Sequence, residues 1–321
     1  MRNVITRSEK TYKKTLYLCI VLILLFFTSF FCFYFLFSKF LFQSNNSKSI
    51  SYNNETTKAS ISNYSLGLAK SAVSIDQKAF NTVSKNIKLS CSANAINQLS
   101  NDGIKAENAF VNDGKKTVFL TFDDGPSTTV TPQILDTLKA YNVHGTFFLV
   151  GQNIQLNNNS VTLVHRIYNE GNAIGDHTYS HDLRALYPHN KLDVNVFMNE
   201  VDKTQNLLKG ILGQAFFTRV IRMPGGYMSR VYYKDPCLTA FNNILRKRNM
   251  VSIDWNSYGF DAEGKWKNSN EIFSYIKSTI GTKNKVVILM HDTYGKEETA
   301  KALPRVIEYL KSQGYEFKTL K

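Results

Sequence analysis

The chain has 321 residues, 43% hydrophobic and 13% aromatic, with a formal net charge of +14. That length holds one large domain with extensions or two modest domains, and the composition leaves ample material for a core. The basic excess suits nucleic acid, an anionic membrane face or an anionic polymer and chooses none of them, whereas the absence of any Cys-x-x-Cys excludes a thiolate zinc site.

In chain order, the basic residues Arg2, Arg7, Lys10, Lys13 and Lys14 come first, in a tail over 1–14. Leu16 to Phe37 then runs 22 positions without a charge. About 20 apolar residues span the hydrocarbon of a bilayer, so residues 15–38 are predicted to form an uncleaved transmembrane anchor. A cleaved signal peptide is the alternative, but its apolar core is shorter and ends in a small-x-small site that this chain lacks. The basic tail predicts a cytoplasmic N-terminus, hence a single-pass protein of the cell membrane with its bulk outside. Residues 39–112 read as spacer and stem, rich in Ser, Asn, Thr and Lys up to about residue 65 and with a weak helical pattern after it. Cys19 and Cys32 lie in the span; Cys91 and Cys237 lie beyond it and are expected as free thiols, a disulfide between them being the alternative.

From Lys116 the pattern changes. Short apolar, β-branched runs at 117–122, 145–150, 172–176, 219–223, 250–254, 285–290 and 315–319 predict seven strands. Helical patterns alternate with them. In one, Thr131 is the expected N-cap and Pro132 the first helical residue, with Ile134, Leu135 and Leu138 on one face. In the next, Ser160 is the expected cap and Gly171 the terminator. Asp193 to Leu212 and Glu298 to Gln313 carry two more. Alternating strands and helices predict an α/β domain over 113–321 with a largely parallel sheet, and the strand count favours barrel-like closure over an open sheet.

Reactive side chains cluster at the carboxyl ends of these strands, where barrel and open α/β enzymes build their sites. Asp123 and Asp124 follow the first, His177 and His181 the third, Arg222 the fourth, Asp254 the fifth and His291 the sixth. Two histidines four apart can converge on one cation, with a carboxylate completing a set that leaves positions open for water. Such a cation would bind one aspartate, while a guanidinium such as Arg222 keeps the other anionic. The second aspartate can then take a proton from water, His291 can supply one to a leaving group, and Asp254 can tune that imidazole. Taken singly, each feature has an ordinary reading: a turn at Asp-Asp-Gly-Pro, a solvated histidine pair, an arginine before a turn, a helix cap at Asp254. In this order, and all at strand ends, they point to one site.

The series TFDDGP, HTYSH, RMPGG, IDWN and LMHD resembles the five motifs of the polysaccharide deacetylase family, the NodB-homology domain of carbohydrate esterase family 4. The resemblance implies a distorted (β/α) barrel of about seven parallel strands and metal-dependent removal of acetyl groups from sugars. The metal expected is zinc, with cobalt, nickel or manganese as alternatives. It implies Asp123 as general base, Asp124, His177 and His181 as metal ligands, Arg222 as holder of the base, Asp254 as tuner of the acid and His291 as the acid. Trp255 and Leu289 resemble the apolar walls around the acetyl methyl. Gly225 stands where many members carry an aromatic residue whose backbone N–H stabilises the oxyanion; glycine keeps the N–H and loses the wall, for which Tyr227 is a candidate replacement. The expectation is therefore an anchored hydrolase acting on N-acetylglucosamine of a cell-surface glycan, peptidoglycan first. The rivals are another acetylated polysaccharide (chitin oligomers, poly-N-acetylglucosamine, xylan) or a silent glycan-binding module. No nucleic-acid motif is present.

Overall fold

A computed structural model of the protein describes residues 103–321. The predicted anchor, most of the spacer and stem, and Cys91 lie outside the described residues. Among the described residues no helix is long and apolar enough to cross a membrane, and Cys237 is a free thiol.

The strands in chain order are β1 (Gly103–Ile104), β2 (Thr117–Gly125), β3 (Thr146–Leu149), β4 (Ala173–Asp176), β5 (Val220–Ile221), β6 (Val251–Ser252), β7 (Ser257–Tyr258), β8 (Lys285–His291), β9 (Glu316–Phe317) and β10 (Thr319–Leu320). One parallel sheet runs β6-β5-β4-β3-β2-β8-β7, with β9 beside the start of β2, while β1 pairs with β10. The outer strands β6 and β7 are consecutive in the chain. Ile253 N–H still donates to Ile221 of β5, and Asn256 N–H already donates to Val287 of β8. Three Cα steps reach at most about 11 Å, so the sheet has to curl until its two edges nearly meet. The result is a curled half-barrel of seven parallel strands whose seam is spanned by Asp254 and Trp255. The expected barrel is thus present in incomplete form.

Side chains alternate across a strand, and the alternation sorts this sheet. Val118, Leu120 and Phe122 of β2, Phe147 and Leu149 of β3, and Val286, Ile288 and Met290 of β8 face the helix-covered outer core. Phe119, Phe148, Val220, Ile253 and Val287 meet inside the curl. Continuing the inward sets in steps of two puts Asp123, Arg222 and His291 on the inner face at the carboxyl end.

The covering helices are α1 (Thr131–Ala140), α2 (Gly151–Gln155), α3 (Asn158–Asn169), α4 (Leu183–Leu186), α5 (Val194–Leu212), α6 (Tyr227–Tyr232), α7 (Leu238–Lys247), α8 (Ser269–Ile280) and α9 (Glu297–Ser312). Asp193 caps α5 through the N–H groups of Asn195 and Val196, and Asn268 with Glu271 forms a capping box on α8. Two predicted caps are corrected. Asn157, not Ser160, caps α3, because its side chain accepts the Ser160 N–H at 3.0 Å. Thr131 is the first residue of α1, not its cap; its hydroxyl is spent on Asp292, at 2.5 Å. The stem boundary also moves. Ala106 and Ala109, assigned to the stem, are buried with Leu320 in the inner cluster.

Candidate active site

Consecutive strand residues point to opposite faces, so Asp123 and Asp124 share a site only if the strand is broken between them. It is. The β2–β3 register shifts between Asp123 and Gly125, and Asp124 adopts φ 68°, a left-handed conformation that Asp tolerates better than most residues. Asn153 Nδ2 donates to the Asp124 carbonyl at 2.7 Å and pins the bulge. Gly125 follows because a Cβ there would lie 2.3 Å from Asp292 Oδ2, a buried carboxylate that cannot retreat. Gly125→Ala is accordingly expected to destabilise the domain by about 2–3 kcal/mol, read as a lower urea midpoint; a midpoint equal to wild type would refute the clash.

Asp123 is buried, and Arg222, itself fully buried, donates to its Oδ1 at 2.8 Å. The same guanidinium donates to Thr121 Oγ1 at 2.7 Å and to the Ile253 carbonyl at 3.0 Å, and it lies 4.1 Å from the Phe148 ring centroid. Three strands thereby fix one cation, and the cation fixes Asp123.

His177 and His181 sit in the loop after β4, which turns through left-handed Thr178 and His181. Ser180 ties this loop to Glu200 of α5 by its N–H and its hydroxyl, both at 2.8 Å. The expected helical spacing is therefore replaced by a tight loop, yet the two rings still converge, with centroids 4.9 Å apart. His177 Nδ1 is 2.7 Å from the Arg222 carbonyl. A carbonyl only accepts, so Nδ1 carries the proton and Nε2 turns a lone pair toward Asp124. Asp124 Oδ1 lies 3.4 Å from Nε2 of His177 and 3.4 Å from Nε2 of His181, and this buried oxygen has no hydrogen-bond partner.

Three acceptors facing one another repel unless a cation lies between them. Ligand arms of about 2.1 Å in tetrahedral array separate donor atoms by about 3.4 Å, so Asp124, His177 and His181 fit a divalent metal. Burial opposes the Asp124 anion, but the imidazoles of His177, His181 and His291 around it hold its carboxyl well below the ordinary value.

His291 is the register partner of Asp123 on the neighbouring strand. Its acidic partner is Asp261, not Asp254. Asp261 Oδ1 lies 2.9 Å from His291 Nδ1, while Oδ2 accepts the His291 N–H and the Thr299 hydroxyl, each at 2.8 Å. Burial would lower the imidazole, but the Asp261 charge and hydrogen bond, with Asp123 and Asp124 behind them, push it up to about 9. Asp254 instead accepts the N–H groups of Tyr227 and Met228 at 2.8 and 2.7 Å, holding the first turn of α6. Sequence reasoning missed Asp261 because it missed β7, a two-residue strand with no apolar run; Asp261 stands just past that strand's carboxyl end.

The remaining predicted residues stand at the same carboxyl end of the sheet. Leu289 precedes His291 by two on β8 and so shares its inward face. Trp255, at the seam, lies 5.6 Å from the Arg222 guanidinium and against Gly226. Gly225 is exposed in the loop after β5 with φ 76°.

Known proteins resemble this chain in sequence and fold. The profile of the polysaccharide deacetylase family matches residues 110–236. A peptidoglycan-N-acetylglucosamine deacetylase of Bacillus cereus is 36% identical over 208 residues, covering 64% of this chain and 67% of that protein. The chain belongs to the polysaccharide deacetylase family. A carbohydrate esterase family 4 member of Streptococcus mutans superposes with a TM-score of 0.65 at 37% identity, over 70% of this chain and 94% of that one. A bifunctional xylanase/deacetylase of Pseudobutyrivibrio xylanivorans is 30% identical over 235 residues, 73% of this chain; this chain spans only 33% of that larger protein. Members of the family depend on a metal, which agrees with the Asp124–His177–His181 cluster.

Proposed function

We propose that this polysaccharide deacetylase hydrolyses the N-acetyl group of N-acetylglucosamine in peptidoglycan. The observation that carries the chemistry is two imidazole nitrogens each 3.4 Å from the Asp124 oxygen, beside a second, separately held carboxylate. The glycan follows from the names of relatives such as the Bacillus cereus enzyme. Two imidazoles and one carboxylate suit zinc best.

When bound by Asp124, His177 and His181, the cation would acidify water and polarise the acetyl carbonyl. Asp123, held in place by Arg222, takes a proton from the attacking water. Gly225 N–H, which makes no hydrogen bond among the described residues, donates to the oxyanion that forms. Leu289 and Trp255 wall the methyl group away from water. His291, protonated and oriented by Asp261, delivers its proton to the departing nitrogen, so that acetate and a free amine leave. The uncharged run Leu16–Phe37, with basic residues before it, supports an anchor that would hold the domain outside the membrane, facing the wall.

The test is acetate release by the purified full-length protein from peptidoglycan, chitin oligomers and acetylated xylan, with and without chelator. Chelator-sensitive release, fastest from peptidoglycan and restored by zinc, is expected. Preference for xylan would transfer the reading to the chemistry named for the Pseudobutyrivibrio relative. No chelator-sensitive acetate from any substrate would overturn it.

A further inference from the structure

The turn that carries Gly225 can place one peptide in two orientations. Met223 to Gly226 has the marks of a type II turn: Pro224 at the second position, Gly225 with φ 76° at the third, and the Gly226 N–H donating to the Met223 carbonyl at 2.8 Å. Types I and II differ by a flip of the central peptide, here the one joining Pro224 to Gly225. That peptide is trans, so its C=O and N–H point in opposite directions. Whatever grips the Pro224 carbonyl therefore also aims the Gly225 N–H.

The grip is a phenol. Tyr187 Oη donates to the Pro224 carbonyl at 2.9 Å in a buried contact between residues 37 positions apart. Tyr187 ends α4, which follows directly on the His181 loop. Its ring lies 4.4 Å beneath the Arg230 guanidinium, and Arg230 is held in turn by Asn190 Oδ1 at 2.9 Å. Burial raises the phenol well above its usual range, so the hydroxyl stays a donor at any working pH. On the other side of the turn, Asp254 holds the N–H groups of Tyr227 and Met228. Between these two grips stand consecutive glycines, both at positive φ, a pair with more backbone freedom than any other residues would have.

We propose that Tyr187 is a positioning residue for the deacetylation: its hydroxyl, by fixing the Pro224 carbonyl, holds the Gly225 N–H where the oxyanion develops. This rests on the reading of Gly225 given above. It also explains how this chain works with glycine at 225. The side chain that would bulk up the turn is absent, and a tyrosine from another loop supplies the rigidity.

A contact made only in the transition state changes kcat and leaves KM alone. Removing an oxyanion donor outright costs about 10²–10³ in kcat; loosening its aim should cost less, about tenfold. Tyr187→Phe deletes the hydroxyl and keeps the ring beneath Arg230. In the zinc-loaded full-length protein, with rates referred to the folded fraction, the expected result is an about tenfold lower kcat, an unchanged KM and a lower NMR order parameter at the Gly225 amide. Full kcat, a loss expressed in KM, or an unchanged order parameter at Gly225 would each overturn the proposal while wild-type turnover leaves the functional reading standing. A wild type that releases no chelator-sensitive acetate would fell that reading first, and this one with it.

Discussion

Asp123→Asn is expected to lower kcat by about 10³-fold while leaving the bound metal unchanged, and Asp124→Asn is expected to lose metal and activity together. The two carboxylates are neighbours in sequence but differ in what faces them. Asp123 takes its hydrogen bond from a fully buried arginine. An amide there still offers an oxygen to Arg222 but cannot receive a proton, and general base catalysis contributes roughly 10²–10⁴. Asp124 Oδ1 has no hydrogen bond and stands between two imidazole nitrogens. An amide oxygen in its place carries no charge to balance a cation, so affinity should fall before chemistry is reached. Metal content by atomic emission, set beside kcat for each variant, separates the roles. Metal loss in Asp123→Asn with retention in Asp124→Asn would reverse them; full activity in either would remove that residue from the mechanism.

The second large effect concerns pH. His291 is pushed up to about 9, against burial, by Asp261 above all. A group with a raised pKa stays protonated below that value and loses its proton as pH rises through it, so the acid is competent at neutral pH and fails on the alkaline side. The alkaline limb of kcat/KM should therefore lie no higher than about 9, and below it in so far as a bound cation offsets the Asp123 and Asp124 charges. Asp261→Asn removes the principal negative charge but keeps the shape. The limb should move acidward by at least about one unit, with the rate at a pH above both limbs falling about tenfold or more. Asp254→Asn, which alters a contact to α6 instead, should leave the limb in place even if the rate drops. A limb that moves with Asp254 and not with Asp261 would show that the imidazole is tuned from the seam.

Much of this was readable without coordinates because strand–helix alternation and strand-end placement are local signals. The apolar runs around Phe119, Phe147 and Val287 announce a parallel sheet, and reactive residues at their carboxyl ends follow from where such folds place their sites. The convergence of Asp123, Arg222 and His291 is a parity effect: each continues an inward-facing set, and parity can be counted along a sequence. What could not be counted is anything that breaks parity or joins distant segments. The bulge that turns Asp124 into the site depends on a left-handed backbone angle and on Asn153 from the next connection. The exchange of Asp254 for Asp261 follows from β7, whose two residues hold no pattern and pair only because the sheet curls round to meet them. Tyr187 reads as an ordinary aromatic residue until folding carries Pro224 to its hydroxyl. The sequence by itself determined which side chains face inward, since alternation along a strand is set by the backbone. Only the tertiary structure decided which of them touch, since that depends on curvature and on loops whose energies are settled by contacts far along the chain.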